Sequence, residues 1–370
     1  MKKIAVIGVT GSIGASTVEV VKNHPDLFKI ELATSHNNLQ QLLDVSQELN
    51  ITNIVSTKER QTNESTGKVL YGREEVFRLL KEESYDIVIN AVSGSSGLIY
   101  SYHILKNNQT LALANKESLV MAGHLLTNME ASIIPIDSEH SALFQIMQGL
   151  ELKDVKRAIL TASGGPFLET PLEKFDEITP QQALCHPTWS MGAKITIDSA
   201  TMFNKGLEVI EAHWLFGFDY DQIDAVVHPQ SIIHSFIECK DGSFLSQMSN
   251  PSMQLPIMYA LSYPGHVASN LTKTDLLSLP PLEFTPLTKE RYPLFYLTVE
   301  AGETGGLMPT AINAANEAAI RLFLERKITF PQIYQLIDDY LQDFNNLSNP
   351  DLETIIEANR LIYNEIYDAF

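Results

Sequence analysis

Residues 4–14, IAVIGVTGSIG, decide the fold of the amino-terminal half of the chain. A short apolar run, residues 4–7, leads into a glycine-rich turn and then into a helical pattern over 12–23. Glycines permit a tight turn and the close approach of a pyrophosphate, which N–H groups at the helix start stabilise. The turn therefore predicts dinucleotide binding, although its GxxGxxG spacing departs from GxGxxG and a plain strand-to-helix turn is the alternative. The candidate cofactor-binding residues of this turn are Gly8, Thr10, Gly11, Ser12, Ile13 and Gly14.

Short apolar runs continue to alternate with amphipathic stretches through the first half of the chain. Strands that alternate with helical patterns are typical of βαβ units around a parallel sheet. The pairs are IELAT before 39–49, IVIN at 87–90 before 97–105, and LALAN before 118–129.

The pattern changes from residue 133. Candidate strands IIPI, AILTAS, DAVVHP, IIHSFIEC and SFLSQM lie closer together, and an Asp241-Gly242 turn predicts that the last two form an antiparallel hairpin. Several prolines and little periodicity then indicate an extended linker, followed by helical patterns such as 311–324 and 352–369. The predicted α/β fold has a Rossmann-like dinucleotide-binding domain over 1–136, an α+β domain over 137–262, a linker over 263–293 and a C-terminal helical domain over 294–370.

The composition limits the partners of the chain. Its 370 residues include 26 Lys+Arg against 45 Asp+Glu, and the net charge of -19 argues against nucleic acid and anionic membranes. A small molecule or another copy of the chain is the expected partner. Cys185 and Cys239 are too few for a disulfide framework, and we expect both to be buried thiols in a reducing compartment. No apolar stretch approaches the roughly 18 residues that span a bilayer and no secretion signal is recognisable, which predicts a soluble cytoplasmic protein.

The residues after the second strand indicate which nicotinamide cofactor is bound. An NAD enzyme usually has Asp or Glu there to bind the ribose 2′-hydroxyl. This chain has no acid there that would repel a 2′-phosphate, and no Arg that would clamp one; its residues are Thr34, Ser35, His36, Asn37 and Asn38. NADP is therefore the predicted cofactor, with the last four of these as candidate contacts. A loop with a helix cap is the alternative.

Asp137-Ser138-Glu139 follows the candidate strand IIPI. On an extended segment the two carboxylates would face the same way, and a shared cation would stabilise both as anions. Oxygen ligands favour Mg2+ or Mn2+ over zinc. Helix capping by Asp137 or Ser138 is the alternative, and it is the simpler interpretation of the tripeptide alone.

Residues 186–211, HPTWSMGAKITIDSATMFNKGLEVIE, concentrate polar side chains in one loop and in the helix predicted over 199–214. Asn204, Lys205 and Glu208 would share one face of this helix, which suits an anionic ligand beside a cation. The alternative is a surface pair between Lys205 and Glu208, which stabilises a helix by only about 0.2–0.5 kcal/mol.

Other motifs are less specific when each is taken alone. The turn TASGGP at 161–166 offers N–H groups and a hydroxyl as a phosphate cradle, although it is also a common turn. Lys116, in LANKESLV, either orients a substrate or is solvated. His186 and His228 each precede a proline, and for single histidines a packing role is the default.

Taken together, these motifs resemble the 1-deoxy-D-xylulose 5-phosphate reductoisomerase family over almost the whole chain. In chain order they are GVTGSIG, LANKESLV, IDSEHSALFQ, TASGGPF, the 186–211 block and HPQSIIHS. The resemblance implies a homodimer that uses NADPH and Mg2+ or Mn2+. It also implies the reaction, which rearranges and reduces 1-deoxy-D-xylulose 5-phosphate to 2-C-methyl-D-erythritol 4-phosphate for non-mevalonate isoprenoid biosynthesis. The 137–262 region would then be the catalytic and metal-binding domain.

The resemblance implies a role for each residue that matches a family motif. Asp137, Glu139 and Glu208 match metal ligands. The residues that match substrate-binding positions are Ser138, Ser163, His186, Ser199, Asn204 and Lys205. Those that match catalytic positions, including a mobile flap over the substrate, are Lys116, Glu139, His186, Trp189, Met191 and His228. The cofactor-binding set gains Asn115, Lys116, Glu117 and Gly192.

Two other functions stay open on the sequence. A simple NADP-dependent dehydrogenase needs the nucleotide domain and hydride transfer, but no site with three carboxylates. A non-catalytic NADP-responsive binding protein needs neither hydride transfer nor a site with three carboxylates. The presence of Asp137, Glu139, Lys205 and Glu208 argues against it.

Overall fold

The structure is a computed structural model that describes residues 1–59, 69–186, 189 and 192–370. The chain divides into two compact units. The first unit comprises Met1–Ser118, Leu126–Ser141 and Ser252–Lys273. The second unit comprises Leu119–Leu125, Ala142–Pro251 and Thr274–Phe370.

A seven-stranded parallel sheet forms the centre of the first unit. Its strands are β1 (Lys2–Ile7), β2 (Phe28–Ser35), β3 (Asn53–Ser56), β4 (Val69–Tyr71), β5 (Ile87–Asn90), β6 (Leu111–Leu113) and β7 (Ile133–Pro135). Their order is β4-β3-β2-β1-β5-β6-β7, and the central β1 and β5 are almost entirely buried, as expected when helices cover both faces. This sheet confirms the predicted Rossmann-like fold.

Two features of this sheet differ from the sequence analysis. The analysis assigned no strand to β3 or β4, which are only four and three residues long. The change of pattern was also placed at residue 133, before the IIPI run, although the predicted first domain extends to residue 136; β7 pairs in parallel with β6 and so belongs to the nucleotide-binding sheet.

Helices occupy much of the remaining chain. Over the described residues they are α1 (Ser12–Asn23), α2 (Leu39–Glu48), α3 (Arg73–Glu82), α4 (Leu98–Lys106), α5 (Lys116–Leu126), α6 (Ser138–Met147), α7 (Pro180–Ala183), α8 (Ala193–Ala200), α9 (Phe203–Phe216), α10 (Gln254–Ser262), α11 (Pro293–Thr304), α12 (Met308–Leu324), α13 (Phe330–Gln342) and α14 (Leu352–Asp368). In the first unit α10 packs against α1, so Ser252–Lys273 groups with the parallel sheet rather than with the predicted 137–262 domain. The other predicted domain boundaries stay a prediction.

A mixed five-stranded sheet lies in the second unit. Its strands are β8 (Val155–Ala162), β9 (Ile223–Val227), β10 (Ile233–Cys239), β11 (Phe244–Met248) and β12 (Thr285–Pro286). They have the order β11-β10-β8-β9-β12. The predicted hairpin is confirmed, because β10 and β11 pair antiparallel across a turn in which Gly242 has φ +88°.

Four helices, α11 to α14, follow this sheet and confirm the predicted helical C-terminal region. Their core is centred on α12, whose small side chains allow neighbouring helices to approach closely. The fully buried alanines of α12 are Ala311, Ala314, Ala315, Ala318 and Ala319.

The two cysteines differ in burial, and the helices bear on the expectation about membranes. Cys239 is buried, but Cys185 is exposed and its thiol donates a hydrogen bond to the Gln181 carbonyl at 3.3 Å, so the expectation of a buried thiol is wrong for Cys185. Among the helices of the described residues, none has both the length and the apolar character needed to span a membrane.

Candidate active site

The glycine turn after β1 has the geometry of a phosphate cradle. Gly8 has φ +91°, and a Cβ there would lie 3.0 Å from the Ala91 carbonyl oxygen. A Cβ on Gly14 would lie 2.3 Å from the Val9 carbonyl oxygen, so α1 approaches the turn closely only because this residue is glycine. Gly11 precedes α1 without a capping side chain, which leaves the helix start to its backbone N–H groups. The predicted positions Thr10, Ser12 and Ile13 complete the turn.

The end of β2 is tied to this turn. The Gly8 N–H donates to Thr34 Oγ1 at 3.0 Å, and the Thr10 and Ser35 hydroxyls are 2.8 Å apart. Asn38 accepts a hydrogen bond from the Gln41 N–H and caps α2, so the alternative of a helix cap is confirmed for this residue. His36 and Asn37 are exposed beside it.

Asn115 and Glu117 shape the neighbouring loop at the end of β6. The Asn115 amide donates to the carbonyls of Val92 and Gly94 and to the Glu117 carboxylate, each at 2.9 Å. A Cβ on Gly97 would lie 2.4 Å from the Asn115 side chain, so this loop fits tightly. These contacts give Asn115 and Glu117 a structural role at the edge where a Rossmann fold binds its cofactor.

Lys116 is buried and forms an ion pair with Asp137, with 2.7 Å between Nζ and Oδ2. The interpretation of Lys116 as a solvated residue is therefore wrong. Burial acts to raise the pKa of Asp137, but the charges of Lys116 and His140 outweigh it and hold this pKa well below its usual range. The first unit thus carries a partly buried carboxylate that stays ionised at neutral pH.

Asp137 lies directly before α6, where the helix dipole stabilises negative charge. The Ser138 N–H donates to Asp137 Oδ1 at 3.1 Å, and the Ser138 hydroxyl donates to Glu139 Oε2 at 2.6 Å. Glu139 lies in the first turn of α6 rather than on the extended segment assumed in the sequence analysis. Alternation along a strand therefore does not explain how the two carboxylates are arranged.

In the second unit, the turn after β8 packs against the end of α8. Gly164 and Gly165 have φ +86° and +71°, and a Cβ on Gly165 would lie 2.8 Å from the Ser199 carbonyl oxygen. Ser163 Oγ is 3.0 Å from His186 Nε2 and accepts a hydrogen bond from the Gly165 N–H at 3.2 Å. Four residues predicted from the TASGGPF and 186–211 motifs are thus within one small region: Ser163, Gly165, His186 and Ser199.

The predicted helix over 199–214 is interrupted. α8 ends at Ala200 and α9 begins at Phe203, because Met202 adopts the left-handed conformation with φ +61°. Ser199 therefore lies on a different helix from Asn204, Lys205 and Glu208.

Within α9, the predicted shared face is confirmed. The Asn204 amide and the Lys205 ammonium both donate to the Glu208 carboxylate. The side chains of Lys205 and Glu208 are only 4% and 1% exposed, so the alternative of a surface pair is wrong. A buried ion pair contributes little net stability, which favours a functional reason for its presence.

His186 also contacts Trp189, three residues further along the chain. Its Nδ1 accepts a hydrogen bond from the Trp189 N–H at 2.9 Å, and burial lowers its pKa. The imidazole is therefore neutral at pH 7, with Nε2 directed to Ser163. Gly192 directly precedes α8, and Met191 lies outside the described residues.

His228 contacts backbone groups through both ring nitrogens, and its catalytic role stays a prediction. Its Nδ1 donates to the Glu283 carbonyl at 2.9 Å, and its Nε2 accepts from the N–H groups of Ile232 and Ile233. The ring also stacks on Phe284 with 4.7 Å between centroids. Because both ring nitrogens bind backbone groups, His228 holds the β9–β10 connection in place.

Comparison with known proteins identifies the family. Family models for 1-deoxy-D-xylulose 5-phosphate reductoisomerase match residues 4–123, and models for its C-terminal domains match 133–216 and 248–364. A 1-deoxy-D-xylulose 5-phosphate reductoisomerase of Bacillus cereus (strain Q1) is 43% identical, in an alignment that covers 96% of this chain and 97% of the relative. The chain belongs to the 1-deoxy-D-xylulose 5-phosphate reductoisomerase family. The enzyme of Sulfurihydrogenibium sp. (strain YO3AOP1) is likewise 43% identical, over 95% of this chain and 94% of its own.

Solved reductoisomerase structures have the same fold. A DOX-P reductoisomerase in complex with NADPH, fosmidomycin and magnesium matches with a TM-score of 0.92 and 33% identity, over 100% of this chain and 98% of the other. The Zymomonas mobilis reductoisomerase in complex with NADPH matches with a TM-score of 0.90 and 33% identity over the same shares. The resemblance found in the sequence is thereby confirmed.

Sequence analysis missed two buried residues within the reductoisomerase motifs. His140 Nδ1 lies 3.7 Å from Asp137 Oδ2, and its helical i,i+3 spacing from Asp137 was a usable signal. Asp198 binds Lys194 Nζ at 2.8 Å and accepts from the Asn316 amide at 2.7 Å. The i,i+4 pair with Lys194 is visible in the sequence, but the contact with Asn316 depends on tertiary structure.

Proposed function

We propose that the chain catalyses the NADPH- and metal-dependent conversion of 1-deoxy-D-xylulose 5-phosphate to 2-C-methyl-D-erythritol 4-phosphate. The observation that carries this proposal is the buried Asn204–Lys205–Glu208 cluster of α9 in a chain of this family. A simple dehydrogenase has no need for such a cluster, because hydride transfer alone requires neither a metal carboxylate nor a phosphate site.

The residues suit the two groups that the reaction requires. Gly8 and Gly14 allow the tight turn and the close approach of α1, and Gly11 adds no side chain at the start of that helix, where a dinucleotide pyrophosphate would bind. Asp137, Glu139 and Glu208 offer only carboxylate oxygens, which suits Mg2+ or Mn2+. When bound, NADPH supplies the hydride and the divalent ion supplies positive charge that stabilises the negative charge developing on substrate oxygens.

The protein's own side chains bind and orient the substrate. Lys205 and Asn204 provide donors for the phosphate, and the hydroxyls of Ser163 and Ser199 lie on the two segments that pack together at Gly165. The phosphate is remote from the carbon–carbon bond that breaks, so its binding energy can hold the fragments in register.

Neighbouring groups control charge and water. Lys116 keeps the Asp137 carboxylate ionised, and the neutral His186 imidazole, whose Nδ1 accepts from Trp189, can donate a hydrogen bond from Nε2 to a substrate oxygen. Ser138 orients Glu139 through its hydroxyl. We assign Trp189 and Met191 to a flap that covers the substrate, because water must be excluded while the fragments are separate.

We also propose that the partner of the chain is a second copy of itself. The strand β11 lies at the edge of its sheet, and its Phe244 and Leu245 are 53% and 41% exposed. Exposed apolar edge strands are prone to pair with another chain. Light scattering should give a dimer mass, and Phe244→Asp with Leu245→Asp should give a monomer; a wild-type monomer would contradict this assignment.

The cytoplasmic location stays a prediction.

One assay tests the proposed activity. With Mg2+ and 1-deoxy-D-xylulose 5-phosphate the protein should oxidise NADPH, and carbon NMR of the product should show the branched skeleton of 2-C-methyl-D-erythritol 4-phosphate. An unbranched product would identify a simple reductase, and no NADPH oxidation would favour a binding protein.

A further inference from the structure

The 2′-phosphate of NADPH needs a cationic partner that the segment after β2 does not provide. Thr34, Ser35, His36, Asn37 and Asn38 include neither Lys nor Arg. Discrimination between NADPH and NADH nevertheless requires groups that bind the phosphate dianion more strongly than a hydroxyl. The inference below rests on the proposed use of NADPH.

The strand order brings a second chain segment to the same edge of the sheet. β3 lies between β2 and β4, and the register pairs Ser35 with Ser56 and Ser56 with Tyr71. The three strands therefore end at the same level. Neighbouring strands are about 4.8 Å apart, so the ends of β2 and β4 are separated by roughly 10 Å.

Gly72 turns the chain at the end of β4 so that Arg73 begins α3. Gly72 has φ +93°, and its N–H donates to the Ser56 carbonyl at 2.8 Å. Gly72 is therefore level with His36, which follows β2, and Arg73 is the next residue and the first of α3. An extended arginine side chain from the start of α3 and the His36 imidazole from the end of β2 can together span the distance between the strand ends.

Hydrogen bonds lead from His36 at the end of β2 through Thr57 to Tyr100, and the charge of Arg73 acts on Tyr100. His36 Nδ1 lies 3.0 Å from Thr57 Oγ1, and the Tyr100 hydroxyl forms a hydrogen bond with Thr57. Burial raises the pKa of Tyr100, while the hydrogen bond to Thr57 and the positive charge of Arg73 act to lower it. The guanidinium thus lies within electrostatic range of a hydroxyl that is two hydrogen bonds away from His36.

Arg73 is held only weakly by its own neighbours. Its Nε lies 3.6 Å from Glu74, and the two side chains are 67% and 81% exposed. Such an exposed pair contributes little, so the guanidinium can exchange it for a phosphate. Arg78, on the same helix, instead forms ion pairs with both Glu75 and Glu82.

We propose that Arg73 of α3, together with His36 at the end of β2, binds the 2′-phosphate of NADPH and gives the chain its preference over NADH. A guanidinium suits this role because its planar N–H groups can bind two phosphate oxygens at once. Thr57 orients the His36 imidazole through the 3.0 Å contact at Nδ1, which leaves Nε2 for the phosphate.

Equilibrium binding to the full chain tests this assignment without turnover. Dissociation constants for NADPH and NADH are measured by nucleotide fluorescence, and those for adenosine 2′,5′-bisphosphate and adenosine 5′-monophosphate by competition. Arg73→Ala should weaken NADPH and the bisphosphate by about 10- to 100-fold, as expected for lost charged hydrogen bonds. NADH and the monophosphate should keep nearly their original affinities. Arg73→Lys should recover part of the loss.

Arg78→Ala is the matched control, since it removes the same charge from the same helix. It should leave all four affinities close to those of the unmodified chain. Equal weakening by both variants would indicate a general electrostatic effect and overturn the assignment. Loss of discrimination in Lys58→Ala but not in Arg73→Ala would also overturn it, in favour of the neighbouring lysine.

The test of Arg73 and the test of the proposed reaction can fail independently. If Arg73→Ala binds NADPH normally and still forms the branched product, the assignment of Arg73 fails while the proposed reaction stands. If Arg73→Ala selectively weakens NADPH binding and the unmodified chain forms no branched product, the reaction fails while the assignment stands.

Discussion

Each unit of this protein pairs a carboxylate with a buried lysine, but the two pairs are built in different ways. In the first unit Asp137 precedes α6 and meets Lys116, which starts α5. In the second unit Glu208 meets Lys205 one turn earlier on the same helix. The first pair depends on the order of strands β6 and β7 in the sheet, whereas the second depends only on helical periodicity.

The comparison explains what each lysine contributes. Lys116 opposes the effect of burial and keeps Asp137 ionised. Lys205 lies beside Asn204 on the face that we assign to the phosphate, so it serves both Glu208 and the substrate. The two ion pairs therefore have different roles. The first keeps the Asp137 carboxylate charged, and the second also provides a lysine that we assign to substrate binding.

The largest expected effect is that of Glu208→Gln. It should lower kcat/KM by more than about 100-fold, because even residues that only support metal ligands contribute roughly 10–100-fold. NADPH affinity should stay close to the original value, since the glycine turn of the first unit is unchanged. NADPH oxidation and nucleotide fluorescence measure the two quantities.

Glu300→Gln, on the exposed surface of α11, is the control for Glu208→Gln and should retain full activity. Parallel loss of turnover and NADPH affinity in Glu208→Gln would argue against a metal role for this carboxylate.

The lysines should differ when each is removed. Lys205→Met should lower kcat/KM by about 10- to 100-fold, mainly through a higher KM, because a charged donor to the phosphate is lost. Lys116→Met should lower kcat more than it raises KM, because it acts through Asp137 and not on the phosphate. Steady-state kinetics at saturating Mg2+ separate these cases, and identical changes in the two variants would contradict the assigned roles.

Asp198→Asn tests whether the α8 end of the phosphate site depends on a buried anchor. Loss of the ion pair with Lys194, while Asn316 still faces residue 198, should lower the free energy of unfolding by about 1–3 kcal/mol. Glu325→Gln removes an i,i+4 pair with Arg321 that is more exposed and should cost less than about 1 kcal/mol. Urea denaturation compares the two variants, and equal losses would show that burial of Asp198 adds nothing.

The smallest expected effect concerns the neutral histidines. Burial lowers the pKa of His186 and His228, so the unfolded chain binds more protons than the folded one as the pH falls below the ordinary value of about 6.5. Their contribution to stability is complete above pH 6.5 and is lost as the pH falls towards their folded pKa values.

The melting temperature should accordingly drop by a few degrees, about 2–4 °C per kcal/mol, between pH 7.5 and 5.5. In His228→Gln the melting temperature should be lower at pH 7.5 and should fall less with acid. An unchanged pH dependence in that variant would show that His228 is not protonated on unfolding.

The two ion pairs also show how far the sequence could predict the structure. The strand, glycine turn and helix of residues 4–23 are local features, and α1 has the predicted bounds. Periodicity likewise placed Asn204, Lys205 and Glu208 on one face. The break at Met202, which separates Ser199 from that face, comes from one left-handed residue that has no sequence signal of its own.

Contacts between distant segments could not be predicted in the same way. The contact of Lys116 with Asp137 requires the β6–β7 pairing, and β3, β4 and α3 were not assigned because their strands are very short. Arg73 was missed for that reason. Burial of Lys116 and of the Lys205–Glu208 pair likewise emerged only from the tertiary structure, and it reversed the interpretation of both as ordinary surface residues.

The most direct test of the central claim is an anomalous difference map from crystals grown with Mn2+ and NADPH. The account predicts one strong peak, with carboxylate oxygens of Asp137, Glu139 and Glu208 at about 2.0–2.3 Å, the range of hard-cation ligands. A peak bound to other residues, or a map in which Glu208 stays paired only with Lys205 and takes no part in binding the ion, would contradict it.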